Sequence, residues 1–302
     1  MSAAARDAWR GIFGVTVTPF TESGDEVDEG ALSDLMADLL DDGIDRLVVN
    51  GNTGEYHTLT VAERRRVVEL ASHAARRRAA LFIVGASGTP ADVLEAAEHA
   101  AANRADAVMI HHPSHPYVSG PGLLDYLARI GVDSPIPIVP YLKMALTEDD
   151  ARALADVPGV VAVKWGINDL PSFGRAVAVT ADRDVAWICG TAELWAPFYW
   201  AVGAVGYTSG LVNVSARPSL DLLEALEAGE RGAVMDAWDR IAPFERLRAR
   251  HGDAFNVAVV KEAMRQIGRA AGPVRAPSTD VPESDHDLIA AAVARWRIGV
   301  PR

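Results

Sequence analysis

Eight short apolar runs, each followed by a stretch whose apolar residues recur at helical spacing, constrain this chain more than any other feature. The runs fall at residues 13–18, 46–50, 80–85, 107–110, 136–141, 160–164, 186–189 and 204–209. They are nearly continuous in apolar residues, the pattern of strands covered on both faces in a parallel sheet. Between them lie amphipathic segments. Across 31–43, Leu32, Leu35, Met36, Leu39 and Leu40 repeat on one helical face, and Gly43 suits the left-handed residue after a last turn. Thr60-Val61-Ala62-Glu63 reads as a capping box, Thr89-Pro90 puts proline at a first helical position, and Thr147 precedes an acidic first turn. Eight strand–helix units with no Pro/Gly/Ser-rich linker fit a (β/α)8 TIM barrel better than a doubly wound sheet. The barrel, with its N-terminal segment, is expected over 1–216, and a C-terminal helical extension over 217–302 completes and packs on the same domain.

Composition narrows the function. The chain has 302 residues, 49% of them hydrophobic, enough for a large core, and a formal charge of -12. That charge argues against nucleic acid or an anionic membrane as partner, since both need clustered basic residues. The basic clusters Arg64-Arg65-Arg66 and Arg76-Arg77-Arg78 fall on one expected helix and read as a solvated face. Cys189 is the single cysteine, so neither an intrachain disulfide nor a cysteine zinc cage can form. No stretch is apolar for the ~20 residues of a membrane span, and the first residues lack a signal-peptide core. A soluble cytoplasmic protein is expected.

In a barrel of this kind the active site gathers where the βα loops leave the C-terminal strand ends. Lys164 ends the sixth run, and lysine occurs only three times in the sequence. A desolvated ammonium loses hydration, its pKa falls, and the neutral amine can attack a carbonyl. Tyr141 ends the preceding run and offers a phenol for proton transfer. After the second run, Gly51-Asn52-Thr53-Gly54-Glu55 brackets a hydroxyl with glycines, so that backbone N–H groups and the Thr53 hydroxyl can converge on a carboxylate, and Thr53 joins Tyr141 and Lys164 as the catalytic parts that carbinolamine chemistry needs. Glu55 is expected to brace that loop. Thr208 lies at the end of the eighth run. Of His57, His111, His112 and His115, the adjacent pair at a strand end points to opposite sides, and no carboxylate set accompanies them. No metal is expected; His112 and His115 are expected to line the substrate pocket. Trp165 would help desolvate Lys164 or cover the barrel wall.

Together, Val15-Thr16-Val17-Thr18-Pro19-Phe20, the Gly-Asn-Thr-Gly-Glu loop, Tyr141, the Val163-Lys164 strand end and Gly203-Ala204-Val205-Gly206-Tyr207-Thr208-Ser209 resemble the dihydrodipicolinate synthase / N-acetylneuraminate lyase family of class I aldolases. The resemblance implies a TIM barrel without cofactor, commonly a homotetramer, in which Lys164 forms a Schiff base with a 2-oxo acid and Tyr141 relays protons. It also implies that Asn52 and Thr53 hold the carboxylate, with the backbone at Thr208 in the same pocket. Three departures stand out. Asn52 replaces a hydroxyl residue, His115 stands where those enzymes carry a tyrosine that crosses from a neighbouring subunit, and the substrate-binding arginine after the catalytic tyrosine is missing. Gly51 to Leu59, Lys164 to Asp169 and Gly272 to Pro277 are similar instead to 5-dehydro-4-deoxyglucarate dehydratases, with Lys143 in place of an arginine. The expected activity is dehydration or aldol cleavage of a sugar-derived acid. The alternatives are condensation of pyruvate with aspartate semialdehyde, and a barrel that binds 2-oxo acids without turnover.

Overall fold

The computed structural model of the chain describes residues 8–78 and 80–296. Eight strands alternate with helices: β1 (Gly11–Val15), α1 (Glu29–Asp41), β2 (Arg46–Val49), α2 (Val61–Arg78), β3 (Leu81–Ala86), α3 (Pro90–Ala102), β4 (Ala107–Ile110), α4 (Gly120–Asp133) and β5 (Ile138–Leu142). There follow α5 (Glu148–Ala155), β6 (Ala162–Trp165), α6 (Leu170–Val179), β7 (Ala186–Cys189), α7 (Ala192–Ala201) and β8 (Gly206–Ser209). C-terminal helices follow, among them α8 (Arg217–Ala228), α9 (Arg231–Arg248), α10 (Asn256–Gln266) and α11 (His286–Ala294). The strands are hydrogen-bonded in chain order as a closed barrel. β1 pairs with β2, and β3 to β8 pair in succession, all parallel, so the sequence's β/α alternation has become a (β/α)8 barrel.

By contact density the chain forms two compact units, Leu81–Thr208 with the N-terminal stretch to Gly11, and Ile12–Ala80 with Ser209 onward. In the first, β3 to β8 are buried along almost their whole length, as their unbroken apolar runs require. Trp165, Phe173 and Trp187 pack edge to face between the strands and α6, with centroids 5.8–6.0 Å apart. Trp165 thus covers the wall, on the opposite side of β6 from Lys164, because neighbouring residues of a strand face opposite ways. The Thr89 cap is a complete capping box with Pro90 behind it, and Thr147 accepts from the Asp150 N–H at 3.1 Å.

In the second unit, Thr60 and Glu63 exchange the two bonds of the expected capping box. Gly43 takes φ +98°, the left-handed residue the spacing called for. Arg66 pairs with Glu29 and Arg78 with Asp41, both on exposed surface, so the arginine clusters form the solvated face expected. The first strand begins and ends earlier than its apolar run. Thr16, Val17 and Thr18 are buried but the last two leave the ladder, because Val17 N–H donates to the Asn213 side chain at 2.9 Å and the Thr18 hydroxyl to Gly54 O at 2.7 Å. Thr16 N–H still donates to Val48 O on β2 at 3.1 Å, so the departure is made at Val17 and Thr18. Among the described residues, no helix is long and apolar enough to cross a membrane.

Candidate active site

Strand register sets the site in the first unit. Tyr141 on β5 pairs with Lys164 on β6, so phenol and amine stand side by side at the C-terminal ends of neighbouring strands. Both are buried, at 7% and 6% exposure, and Lys164 Nζ lies 4.1 Å from the centre of the Tyr141 ring. Burial, reinforced by the nearby positive charge of Lys143, lowers the Lys164 pKa to about 7. Near neutral pH a large share of the amine is therefore uncharged and nucleophilic, the state carbonyl attack needs. Lys143 itself is exposed, with Nζ 5.6 Å from the same ring. Cys189 is an inert buried thiol, its pKa pushed up to about 11 by burial.

Two glycines make room for this pair. A Cβ on Gly166 would stand 2.2 Å from Tyr141 Cε2, and one on Gly190 would stand 2.9 Å from Lys164 Cγ and 2.6 Å from Trp165 O. Neither position takes a positive φ. Their requirement is space, which is why a search for turn glycines passes over them.

The histidines after β4 differ in burial. His112 is half-buried, its pKa held down by burial and by Lys143. His115 is exposed, and its Nδ1 accepts the N–H of Tyr117, itself 86% exposed. The buried histidine of the group is His111, at 2% exposure, with its ring 6.2 Å from that of Tyr141. Thr208 is buried at the end of β8, one residue beyond the Cys189–Tyr207 pair.

The glycine loop belongs to the second unit. Gly54 N–H donates to Gly51 O and Glu55 N–H to Asn52 O, both at 3.0 Å, so these two donors serve the loop's own turn. Asn52 and Thr53 are half-buried at its crest. Contrary to the expectation that glycine supplies the sharp conformation, the left-handed residues are Asn50 and Glu55, each at φ 55°. Gly54 is required by close approach instead, since a Cβ there would lie 3.1 Å from Thr16 O.

Glu55 holds its strained place through partners far along the chain. Its carboxylate pairs with Lys261 Nζ at 2.6 Å and accepts the Arg275 N–H at 2.9 Å. Lys261, wholly buried on α10, also donates to Pro273 O at 2.8 Å and lies 4.1 Å from the Phe20 ring centre. Burial pulls its pKa down against the pull of Glu55. Glu55 is thus a brace, as expected, but through an ion pair as well as a backbone bond. A second buried cation, Arg248, pairs with buried Glu245 at 2.7 Å and bonds Asn256. A Cβ on Gly210 would meet Arg248 Nη2 at 2.5 Å and Thr53 Cγ2 at 3.3 Å, so Arg248 and Thr53 close on the same glycine.

A closed (β/α)8 barrel with a desolvated lysine against a tyrosine at its C-terminal strand ends is the framework of a barrel lyase. Comparison with known proteins gives the family. The sequence model of the Dihydrodipicolinate synthetase family matches residues 8–295, and the chain belongs to that family. It is 30% identical over 276 residues to a 4-hydroxy-tetrahydrodipicolinate synthase of Methanothrix thermoacetophila, covering 89% of this chain and 90% of that one. It is equally 30% identical over 300 residues to a probable 5-dehydro-4-deoxyglucarate dehydratase of Ralstonia nicotianae, covering 97% and 95%. Among solved structures, a dihydrodipicolinate synthase from Oceanobacillus iheyensis superposes with TM-score 0.93 at 37% identity, over 97% of this chain and 99% of that one. The chain is therefore a lyase of this family, similar at once to its synthase and its dehydratase branches.

Proposed function

We propose that this enzyme forms a Schiff base between Lys164 and a 2-oxo acid, and that it dehydrates or cleaves a sugar-derived acid without metal or organic cofactor. The observation that carries the reading is the buried Lys164 amine, its pKa lowered to about 7, packed on the Tyr141 ring. The neutral amine attacks the 2-oxo carbon, Tyr141 delivers a proton to the departing hydroxyl, and the resulting iminium draws electrons from the neighbouring bond. Asn52, Thr53 and the backbone of Gly51, Gly54 and Thr208 are assigned to the substrate carboxylate. His112 and Lys143 are assigned to its distal end. His115, exposed and bonded to Tyr117, is assigned to substrate only through a contact made in a homo-oligomer, dimer or tetramer, of this cytoplasmic enzyme.

Borohydride reduction with pyruvate, followed by mass spectrometry, tests the common step: an adduct on Lys164 is expected, and none with any 2-oxo acid would sink the reading. Turnover of aldonic and aldaric acid derivatives, abolished in Lys164→Ala, separates an enzyme from a 2-oxo acid binder. The 30% identity to a named synthase keeps a second reading in view. Condensation of pyruvate with aspartate semialdehyde faster than dehydration of any sugar acid would establish that alternative.

A further inference from the structure

Three consecutive strands carry a protic side chain at one level. Ile110 on β4 pairs with Pro140 on β5, which sets His111 beside Tyr141 one step further on, and Tyr141 pairs with Lys164 on β6. His111 N–H donates to Ala86 O at 2.9 Å, so the backbone at 111 prolongs the β3–β4 ladder and keeps strand alternation. The three side chains accordingly share a face, and all are buried, at 2%, 7% and 6% exposure. The Tyr141 ring has the Lys164 amine 4.1 Å from its centre and the His111 ring 6.2 Å away at 63°.

A phenol that passes protons needs a group that takes them. Of the two amines over the Tyr141 ring, Lys164 is the nucleophile and Lys143 is exposed. An imidazole both accepts and donates near neutral pH.

We propose that His111 is the second member of the proton relay and exchanges protons with the Tyr141 hydroxyl; the inference rests on the Schiff-base reading above. When the iminium becomes an enamine, the C3–H bond breaks and its electron pair forms the C2–C3 double bond, while the C2–N π pair returns to nitrogen. Tyr141 oxygen takes the C3 proton as its own proton passes to a His111 ring nitrogen, so one proton moves in all, from carbon to imidazole. The reverse steps return a solvent-derived proton to C3.

The test follows pyruvate methyl protons by NMR in D2O, alongside borohydride trapping, in the wild type, His111→Leu, His111→Asn and His111→Ala. The wild type is expected to trap pyruvate on Lys164 and to exchange its methyl protons. The folded variants should trap it to the same final extent while exchange falls about 100-fold or more, and imidazole added to His111→Ala should restore part of the rate. A merely structural histidine would show no such rescue. His111→Asn retains a polar planar group should the leucine variant fail to fold. Exchange within twofold of the wild type in any folded variant overturns the relay, as does loss of the adduct itself. No adduct in the wild type refutes the Schiff-base reading first and the relay with it.

Discussion

Replacing Lys164 by methionine should abolish activity and make the protein more stable. The folded chain holds this amine at a pKa of about 7, against 10.5 for the unperturbed group, chiefly by burial. Between those values the unfolded chain binds a proton that the folded chain does not, so unfolding free energy rises with pH across the window. Each pH unit is worth about 1.4 kcal/mol per proton, and the whole window roughly 5 kcal/mol at most. That penalty is fully present at and below pH 7, shrinks as pH rises, and vanishes near 10.5. Methionine nearly matches lysine in length and carries no charge to desolvate, so Lys164→Met should gain about 2–4 kcal/mol at pH 7, allowing for imperfect packing. Urea unfolding of both proteins at pH 6.5, 7.5, 8.5 and 9.5 measures the difference. It should be constant below pH 7 and then fall by up to about 1.4 kcal/mol per unit. A variant less stable than the wild type at pH 7, or a difference independent of pH, would show that the lysine is not held against its own desolvation and would remove the basis for its nucleophilicity.

Lys143 lowers the Lys164 pKa through its charge, so Lys143→Met should move the ascending limb of adduct formation, expected near pH 7 in the wild type, to higher pH; an unmoved limb would contradict this. Gly166→Ala forces a methyl to 2.2 Å from Tyr141 Cε2. It should retain a Lys164 adduct with pyruvate yet lose kcat by about 100-fold or more, whereas unchanged kcat would mean that the phenol tolerates displacement. Lys261→Met leaves Glu55 as a buried, unpaired carboxylate and should cost about 3–5 kcal/mol. Adding Glu55→Gln should recover most of that loss, and a double variant as unstable as the single one would show that the pair is not the source.

The eight strands were legible because a parallel sheet buried on both faces demands unbroken apolar runs, and no other demand produces them so regularly. Their ends were not, for a reason visible at Thr16 to Thr18. Those residues are as buried as any strand, yet Val17 bonds Asn213, nearly 200 residues away, and the Thr18 hydroxyl bonds Gly54. The place of His111 beside Tyr141 was illegible for a related reason. Where two adjacent histidines end a strand, a shift of one residue exchanges the inward and outward side chains. Only the pairing of Ile110 with Pro140 settles that His111 is the one beside Tyr141.

Lys261 escaped the sequence reading because nothing within its own helix explains it; its partner lies on the loop after β2. A signal was nevertheless present. The chain holds 29 basic residues, only three of them lysine, and its surface ion pairs are made by arginine. Arginine cannot give up its proton in a protein, whereas a lysine pKa falls readily on burial. Each of the three lysines lies by an aromatic ring, Lys143 and Lys164 by Tyr141 and Lys261 by Phe20. In the two that are buried the pKa is lowered. A chain that covers its surface with arginine leaves lysine where a compact or titratable amine is needed. In such a composition the scarcity of lysine marks Lys261 as well as Lys164 for a buried task, one holding the loop and the other carrying the reaction.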